Sequence, residues 1–223
     1  NNYGLVVVTT GCGATNALTG LLEAWQDNVP VVFVSGQVNL HQTSKQFGLR
    51  QLGVQEADIV SIVKPITKYA KMLKDPSKVL YEIQKCLHIA KDGRPGPVWL
   101  DIPMDIQSKK VNVQELKKYR KPIKKDKQVH DIESLLESSK RPVILAGNGI
   151  KLSNAEKNLE NFLEKTKIPL VTTFLAADVV GCEKNYNIGW VGVKGSRAGN
   201  FVMQNADLLI VIGSRLSVPV TGY

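Results

Sequence analysis

The residues best placed to contact a ligand form a glycine-rich turn near the start of the chain, Gly11-Cys12-Gly13-Ala14-Thr15-Asn16. It separates a continuous apolar run at 5–10 from an apolar-periodic segment, which places it between a strand and a helix. Glycine lets the backbone turn tightly and approach a ligand, and a helix start offers free N–H groups. The turn is not a Walker loop, since no Gly-Lys-Ser/Thr follows, and Asn16 replaces the third glycine of a dinucleotide fingerprint. By itself the turn is equally compatible with a ligand site and with a simple tight connection.

Two further glycine turns follow apolar runs in the second half of the chain. Gly147-Asn148-Gly149 follows the run at 143–146, and Gly213-Ser214-Arg215 follows the run at 208–212. Glycine turns after strands occur in many α/β domains, so these two turns support an α/β fold but do not by themselves indicate a ligand site.

No residue set has the spacing of a metal site. The histidines His41, His88 and His130 are isolated, and the cysteines Cys12, Cys86 and Cys182 are odd in number and far apart. They fit neither a zinc site nor a disulfide framework and favour a reducing cytoplasm. Cys12 is interpreted as a small buried residue of its turn. Asp101 and Asp105, four residues apart across a strand end, are interpreted as turn-capping residues.

The formal net charge of +9 arises mostly from one basic stretch. Between residues 109 and 127 lie nine lysines and arginines, opposed by Glu115 and Asp126. A nucleic-acid surface usually adds base-stacking aromatics or a recognisable module, and Tyr119 is the only aromatic there. The composition therefore favours a solvated linker and no nucleic-acid partner. No run of eighteen apolar residues and no signal peptide is visible, so a membrane partner is not expected.

Strand and helix signals alternate along the chain. Strands are predicted at 5–10, 30–35, 97–102, 143–146, 169–173 and 208–212, and helices at 14–28, 75–91 and 153–166. The last helix is predicted to begin with a capping box formed by Ser153 and Glu156. This alternation predicts two three-layer α/β/α domains with mainly parallel sheets. The domains are placed at 1–107 and 129–223, joined by the basic linker at 108–128.

Both predicted domains look incomplete. The chain opens almost directly on a core strand and stops shortly after another one. We therefore expect these residues to be a piece of a longer polypeptide.

Ordered motifs extend along nearly the whole chain outside the linker. The first half carries the Gly11 turn, the run at 30–38, Gln55-Glu56-Ala57-Asp58, Gly93-Arg94-Pro95-Gly96-Pro97-Val98 and Asp101-Ile102-Pro103-Met104-Asp105. The second half carries the segment at 141–149, Lys167-Ile168-Pro169, Ala206-Asp207-Leu208-Leu209, Gly213-Ser214-Arg215-Leu216 and Thr221-Gly222. In this order the motifs resemble those of the thiamine-diphosphate-dependent enzymes, and among them the acetolactate synthases. By this resemblance, residues 1–107 form a pyrimidine-binding domain that lacks its start, and residues 129–223 form a truncated, Rossmann-like central domain.

The resemblance implies an enzyme that decarboxylates a small-molecule 2-oxo acid and transfers the remaining carbon unit to a carbonyl acceptor. Thiamine diphosphate would lie near Gly11, Cys12, Gly13, Asn16 and Gln55, between two subunits of a homodimer or homotetramer. The family's activating glutamate would precede Asn1, and Mg²⁺ would be held by a diphosphate-binding domain that these residues do not include. No catalytic residue and no metal ligand is therefore assigned to this chain, and the chain alone is predicted to be inactive.

Acetolactate synthases also hold FAD on the central domain. By the resemblance, Gly147, Gly149 and Arg215 match segments that line the flavin site, whereas Gly192-Val193-Lys194-Gly195 matches only in part. FAD binding and an ordinary α/β turn are about equally compatible with these residues.

Three positions depart from the acetolactate synthase pattern at its second-substrate pocket. Val54 stands where the family has phenylalanine, Met104 replaces a lysine, and Pro219 replaces an arginine. The loop at 39–53 is also longer than usual. These changes predict an acceptor other than pyruvate or 2-oxobutyrate, or its recognition by a different residue. A 2-oxo-acid decarboxylase, a carbon–carbon hydrolase on the same fold, and a basic nucleotide-binding α/β protein remain the alternatives.

Overall fold

The computed structural model describes residues 3–123 and 132–222. The chain divides into two compact units, Asn1–Lys124 and Lys125–Tyr223. Each unit contains a four-stranded sheet in which all strand pairs are parallel. The predicted α/β class is confirmed. Within the two described ranges, no helix is long and apolar enough to cross a membrane.

The first unit contains four strands and five α-helices. In chain order they are β1 (Gly4–Val8), α1 (Cys12–Asn16), α2 (Leu18–Gln26), β2 (Val31–Gln37), α3 (Ile59–Val63), β3 (Tyr69–Met72), α4 (Val79–Lys91), β4 (Val98–Pro103) and α5 (Met104–Gln107). The strand order across the sheet is β1-β2-β4-β3.

Side chains of the central strands β2 and β4 alternate between two apolar layers, one on each face of the sheet. Phe33 and Trp99 point to the face covered by α2 and α3, where their rings stack with centroids 5.1 Å apart. Val32 and Leu100 point to the opposite face, which α4 and α5 cover. Because both faces are buried, β2 reads as a nearly continuous apolar run, as is usual for a central parallel strand.

The predicted strands of this unit are confirmed, and one strand was missed. β3 has the short sequence Tyr-Ala-Lys-Met, in which Lys71 points outward, so it lacks the β-branched run of the other strands. The helix predicted at 14–28 is divided at Ala17 into α1 and α2.

The second unit follows the same plan. Its elements are α6 (Ile132–Ser138), β5 (Pro142–Ala146), α7 (Gly149–Leu152), α8 (Glu156–Thr166), β6 (Leu170–Thr172), β7 (Asn187–Trp190), α9 (Arg197–Gln204), β8 (Leu208–Ile212) and α10 (Val218–Thr221). The strand order is β7-β6-β5-β8. Helices α7 and α8 cover one face of the sheet, and α9 covers the other.

The predicted capping box at the start of α8 is wrong. The Ser153 hydroxyl donates hydrogen bonds to the carbonyls of Gly149 and Ile150, at 2.8 and 3.0 Å. It therefore closes the end of α7, while Ala155 occupies the N-cap of α8 without a side-chain hydrogen bond. The sequence signal failed because α7 is a single turn that the pattern did not predict.

The described part of the basic stretch, residues 108–123, is irregular apart from one 3₁₀ turn, and Tyr119 anchors it. The Tyr119 ring lies 5.4 Å from the Tyr81 ring and 5.5 Å from the His88 ring, both on α4. Its N–H donates to the Gln84 side-chain oxygen at 2.9 Å. The rest of the predicted linker, and His130, lie outside the described residues.

Candidate functional site

The carboxyl ends of the parallel strands in the first unit meet at one edge of the sheet. The Gly11 turn follows β1, Val38 follows β2, and Met104 follows β4. Open parallel sheets bind ligands outside this edge. The residues predicted for the thiamine site, and the predicted acceptor residues Val54 and Met104, therefore lie at or beside this edge, whereas Pro219 belongs to the second unit.

The Gly11 turn is in direct backbone contact with Gln55. A Cβ atom added to Gly11 would lie 1.9 Å from the Gln55 carbonyl oxygen, and Gly11 has a φ of +59°. Gln55 itself has a φ of +58°, an uncommon conformation for a residue with a side chain. Only glycine fits at position 11, and the contact brings together two segments that are more than forty residues apart in the chain.

The side chains around this contact are accessible. Cys12, Asn16 and Gln55 are exposed, Val54 is 84% exposed, and Met104 is 58% exposed. The interpretation of Cys12 as a buried residue is wrong, because the turn directs its side chain away from the core. Gly13 packs closely against the preceding segment, since a Cβ there would lie 2.5 Å from the Thr9 methyl group.

A buried polar network lies directly beneath this edge. The Asp101 carboxylate accepts hydrogen bonds from the Ser35 hydroxyl at 2.5 Å and from the Gln37 amide at 3.1 Å. The Trp99 indole donates to Ser35 at 2.8 Å. Ser35 and Asp101 are fully buried, and Gln37 is 4% exposed.

Burial raises the pKa of Asp101 to about 6, although the hydrogen bonds from Ser35 and Gln37 oppose the rise and the charge of Asp58 adds to it. The turn-capping interpretation of Asp101 is wrong, because its carboxylate lies inside the sheet layer. The sequence did contain a signal, since Ser35, Gln37 and Asp101 are polar residues within otherwise apolar strands.

The loop at 38–57 is held in place by two carboxylates. Glu56 accepts hydrogen bonds from the Ser44 N–H and hydroxyl at 2.6 and 2.7 Å, and from the backbone of Leu52 and Gly53 at 3.0 and 3.3 Å. Burial works to raise the pKa of Glu56, but these hydrogen bonds outweigh it and lower the pKa. Asp105 accepts from the Leu40 N–H at 3.1 Å and so ties the loop to α5.

In the second unit the predicted flavin glycines pack against each other. A Cβ on Gly147 would lie 2.3 Å from the Gly213 carbonyl oxygen, and the Gly149 N–H donates to that oxygen at 2.9 Å. This close backbone packing explains the glycines without a ligand. Arg215 is exposed and, within the described ranges, has no hydrogen bond or ion pair.

The segment Gly192-Val193-Lys194-Gly195, which matches the flavin pattern only in part, contacts Pro219, where the chain departs from the acetolactate synthase pattern. A Cβ on Gly192 would lie 2.2 Å from the Pro219 carbonyl oxygen, which also accepts a hydrogen bond from the Val193 N–H at 2.9 Å. The Gly192 loop, which follows β7, is therefore in backbone contact with Pro219, which lies in α10.

The described residues contain no group of three or more histidine, cysteine or carboxylate side chains able to hold a metal ion. A cavity of about 360 Å³ is lined by Glu164, Lys167, Glu183, Lys184, Asn185 and Tyr186. It lies beside the amino ends of β6 and β7, and Glu164 within it pairs with Lys167 and Lys184. This cavity is therefore at the opposite end of the sheet from the glycine turns.

Comparison with known families assigns both halves of the chain. Residues 1–62 match the thiamine pyrophosphate enzyme N-terminal TPP-binding domain, and residues 129–223 match the thiamine pyrophosphate enzyme central domain. The chain belongs to the thiamine pyrophosphate enzyme family. Both family domains occur in the order that the motifs predict.

Curated relatives of this thiamine pyrophosphate enzyme chain are acetolactate synthase large subunits. The protein of that name from Lactococcus lactis subsp. lactis is 36% identical over 218 residues, which cover 95% of this chain and 37% of the relative. The probable acetolactate synthase large subunit of Methanocaldococcus jannaschii is 35% identical, over 98% of this chain and 38% of its own length. The Corynebacterium glutamicum large subunit is 35% identical, over 98% and 35%. The chain thus spans less than two fifths of these relatives.

Proposed function

We propose that the whole protein is a thiamine-diphosphate-dependent enzyme that decarboxylates a 2-oxo acid and transfers the remaining carbon unit to a carbonyl acceptor. The observation that carries the proposal is the contact between the Gly11 turn and Gln55 at the carboxyl edge of the first sheet. The family membership and the acetolactate synthase large subunits among the relatives support it.

The residues at this edge fit a thiamine cofactor. Gly11 and Gly13 allow the backbone to approach closely, and the exposed Asn16 and Gln55 offer amide groups for hydrogen bonds to a heterocycle. When bound, thiamine diphosphate stabilises the carbanion left by decarboxylation. The protein residues would bind and orient the ring, while Val54 and Met104 would exclude water on the acceptor side.

We also propose the limits of the domains and the places of Mg²⁺ and FAD. Residues 1–107 would form the pyrimidine-binding domain, 108–128 the linker, and 129–223 the central domain. Mg²⁺ would be held by the diphosphate-binding domain of the whole protein, as the resemblance to the family implies. FAD would lie at the carboxyl edge of the second sheet beside Gly147 and Gly149, with the exposed Arg215 as its cationic contact.

We further propose a cytoplasmic homodimer or homotetramer. The exposed apolar side chains on the loop at 38–57 support a subunit contact beside the site: Phe47 is 58% exposed, Leu49 51% and Leu52 47%. Apolar groups clustered on a surface mark sites of protein contact. A cofactor held between two subunits would then be shielded from water.

The acceptor differs from that of the acetolactate synthases in this proposal. Val54 and Met104 present apolar side chains where the family pattern has an aromatic ring and a lysine, and Pro219 presents no charge. A charge-assisted hydrogen bond contributes about 1.5–3 kcal/mol, so the loss of two weakens carboxylate recognition. An uncharged carbonyl acceptor, such as an aldehyde, fits these residues better than a second 2-oxo acid.

The test uses the whole protein with Mg²⁺ and thiamine diphosphate. Calorimetry measures cofactor binding, and product analysis follows pyruvate consumption with and without an added aldehyde. Saturable binding with carboligation to the aldehyde supports the proposal, whereas brisk acetolactate formation from pyruvate alone contradicts the acceptor assignment. Carbon dioxide release without carboligation indicates a plain decarboxylase. The absence of thiamine diphosphate binding rejects the enzyme proposal.

Gln55→Ala tests the site itself. It should weaken thiamine diphosphate binding, because it removes an amide from the exposed edge of the site. Gln26→Ala, at the exposed end of α2, is the matched control and should bind the cofactor as the wild type does.

A further inference from the structure

Gln37 is the last residue of β2, and its amide uses every hydrogen-bonding position it has. The oxygen accepts from the Thr10 hydroxyl and from the Val38 N–H, both at 3.0 Å. The nitrogen donates to the Ala57 carbonyl at 2.8 Å and to the Asp101 carboxylate at 3.1 Å. A primary amide has two donors and two acceptor lone pairs, so this side chain is saturated.

Two of these partners flank the contact at the candidate site. Thr10 directly precedes Gly11, and Ala57 is two residues after Gln55. A single buried side chain therefore holds both segments whose backbones meet at the Gly11–Gln55 contact.

The third partner fixes the amide itself. Asp101 is fully buried in β4 and is oriented by the Ser35 hydroxyl, which in turn accepts from Trp99. β4 lies next to β2 in the sheet, with Ser35 in register with Asp101. The two central strands thus lock the rotamer of Gln37, and a locked supporting residue is what keeps a site preorganised.

We propose that Gln37 is the positioning residue of the thiamine site, joining the Gly11 turn to the Val54–Gln55 segment so that both face the cofactor together. This inference rests on the proposed function, since it assigns those two segments to the cofactor. It assigns no direct contact with the cofactor to Gln37, which is buried. A core residue contributes to the stability of the whole unit, whereas this role concerns the relative placement of two segments.

The test compares two substitutions in the whole protein. Gln37→Met keeps the length of the side chain and removes all four hydrogen bonds. Glu82→Gln is the matched control: Glu82 is 1% exposed in α4, on the other face of the same sheet, and is bonded to Tyr69 and Lys71 at 2.7 and 2.6 Å. Both substitutions perturb buried hydrogen bonds of the first unit, but only Gln37 bridges the two segments.

Two measurements are made on each variant. Calorimetric titration with thiamine diphosphate and Mg²⁺ should show binding about tenfold or more weaker in Gln37→Met and unchanged in Glu82→Gln. Hydrogen exchange in the cofactor-free protein should be faster at residues 10–14 and 53–58 in Gln37→Met only. Gln37→Asn is the milder variant if the methionine protein does not fold, because it keeps an uncharged amide and only shortens the side chain by one methylene group.

The outcomes separate the inference from the proposed function. Wild-type affinity in a folded Gln37→Met protein, or equal exchange in both variants, overturns the positioning role. If the wild-type protein itself fails to bind thiamine diphosphate, the proposed function is wrong and the positioning inference falls with it. Weaker binding together with faster exchange at both segments supports the inference.

Discussion

A side chain at position 11 would collide with the Gln55 carbonyl, which makes Gly11 a sensitive test of the site. Gly11→Ala places a Cβ 1.9 Å from that oxygen and adds the strain of a φ of +59°. We expect the free energy of unfolding to fall by about 2 kcal/mol or more. Urea denaturation measures this change.

The matched control for that substitution is Gly20→Ala within α2. A Cβ at Gly20 meets nothing within 4 Å, so alanine should stabilise the helix by about 1 kcal/mol or slightly less. Equal effects of the two substitutions would show that the Gly11 turn and Gln55 are not in contact.

Asp101 makes the stability of the first unit depend on pH. Its pKa rises from 3.8 to about 6 on folding because the carboxyl is buried. The folded state then binds more protons than the unfolded state between these values, so stability falls as the pH rises from about 4 to 6.5. The loss is on the order of 3 kcal/mol.

Two substitutions test this dependence in opposite directions. Asp101→Asn removes the titrating group and should flatten the decline between pH 4.5 and 7, measured by urea unfolding relative to wild type. Ser35→Ala removes a donor that favours the charged carboxylate and should steepen the decline. Identical pH profiles in the wild type and Asp101→Asn would contradict the assignment.

At the scale of elements, the loop at 38–57 depends on Glu56 for its shape. Three backbone N–H groups, those of Ser44, Leu52 and Gly53, donate to its carboxylate, and these hydrogen bonds lower its pKa although burial opposes them. We expect Glu56→Gln to lower the free energy of unfolding by about 1–2 kcal/mol at pH 7. Because the folded pKa is the lower one, this contribution is present above the unfolded pKa and is lost as the pH falls through the folded pKa, so the difference between variant and wild type should shrink at acid pH.

The control for the loop is Glu23→Gln, an exposed carboxylate on α2. Its effect on unfolding should stay within about 0.5 kcal/mol, as for most surface substitutions. A loss of stability in Glu56→Gln that does not shrink as the pH is lowered would show that the carboxylate charge is not what holds the loop.

At the scale of the whole molecule, the chain consists of two compact units, and a basic stretch lies between them in the sequence. The lysines and the arginine at 117–121 are exposed and lie outside any helix or strand, so brief trypsin treatment should cut there first. Mass spectrometry of the products should show two fragments that correspond to the two units. First cuts inside α4 or α8 would contradict this division of the chain.

Tyr119 should set the rate of that cleavage. Its ring packs on Tyr81 and His88, so Tyr119→Ala removes these contacts with α4 and loosens the stretch, although the backbone N–H of residue 119 can still donate to Gln84. We expect faster trypsin cleavage at 117–121 with the same products. Phe162→Ala, which changes a partly exposed ring on α8, should leave the rate unchanged.

The sequence by itself determined the class of the fold and the family. Apolar β-branched runs separated by helical periodicity are local signals, and they predicted most of the strands and the two α/β units. The short strands β3 and β7 were missed because each depends on its neighbours: β3 exposes Lys71, and β7 contains Gly189 at a φ of +105° and pairs with β6 across an irregular register.

The tertiary structure alone decided which of the candidate residues meet. The Gly11–Gln55 contact, the packing of Gly147 on Gly213, and the bridge from Gln37 to Asp101 all join residues distant in the chain. Local patterns carry no information about such pairs, because the strand order and register of each sheet set them. Burial, likewise a property of the assembled sheet, made Asp101 a member of a polar network and left Cys12 at the surface.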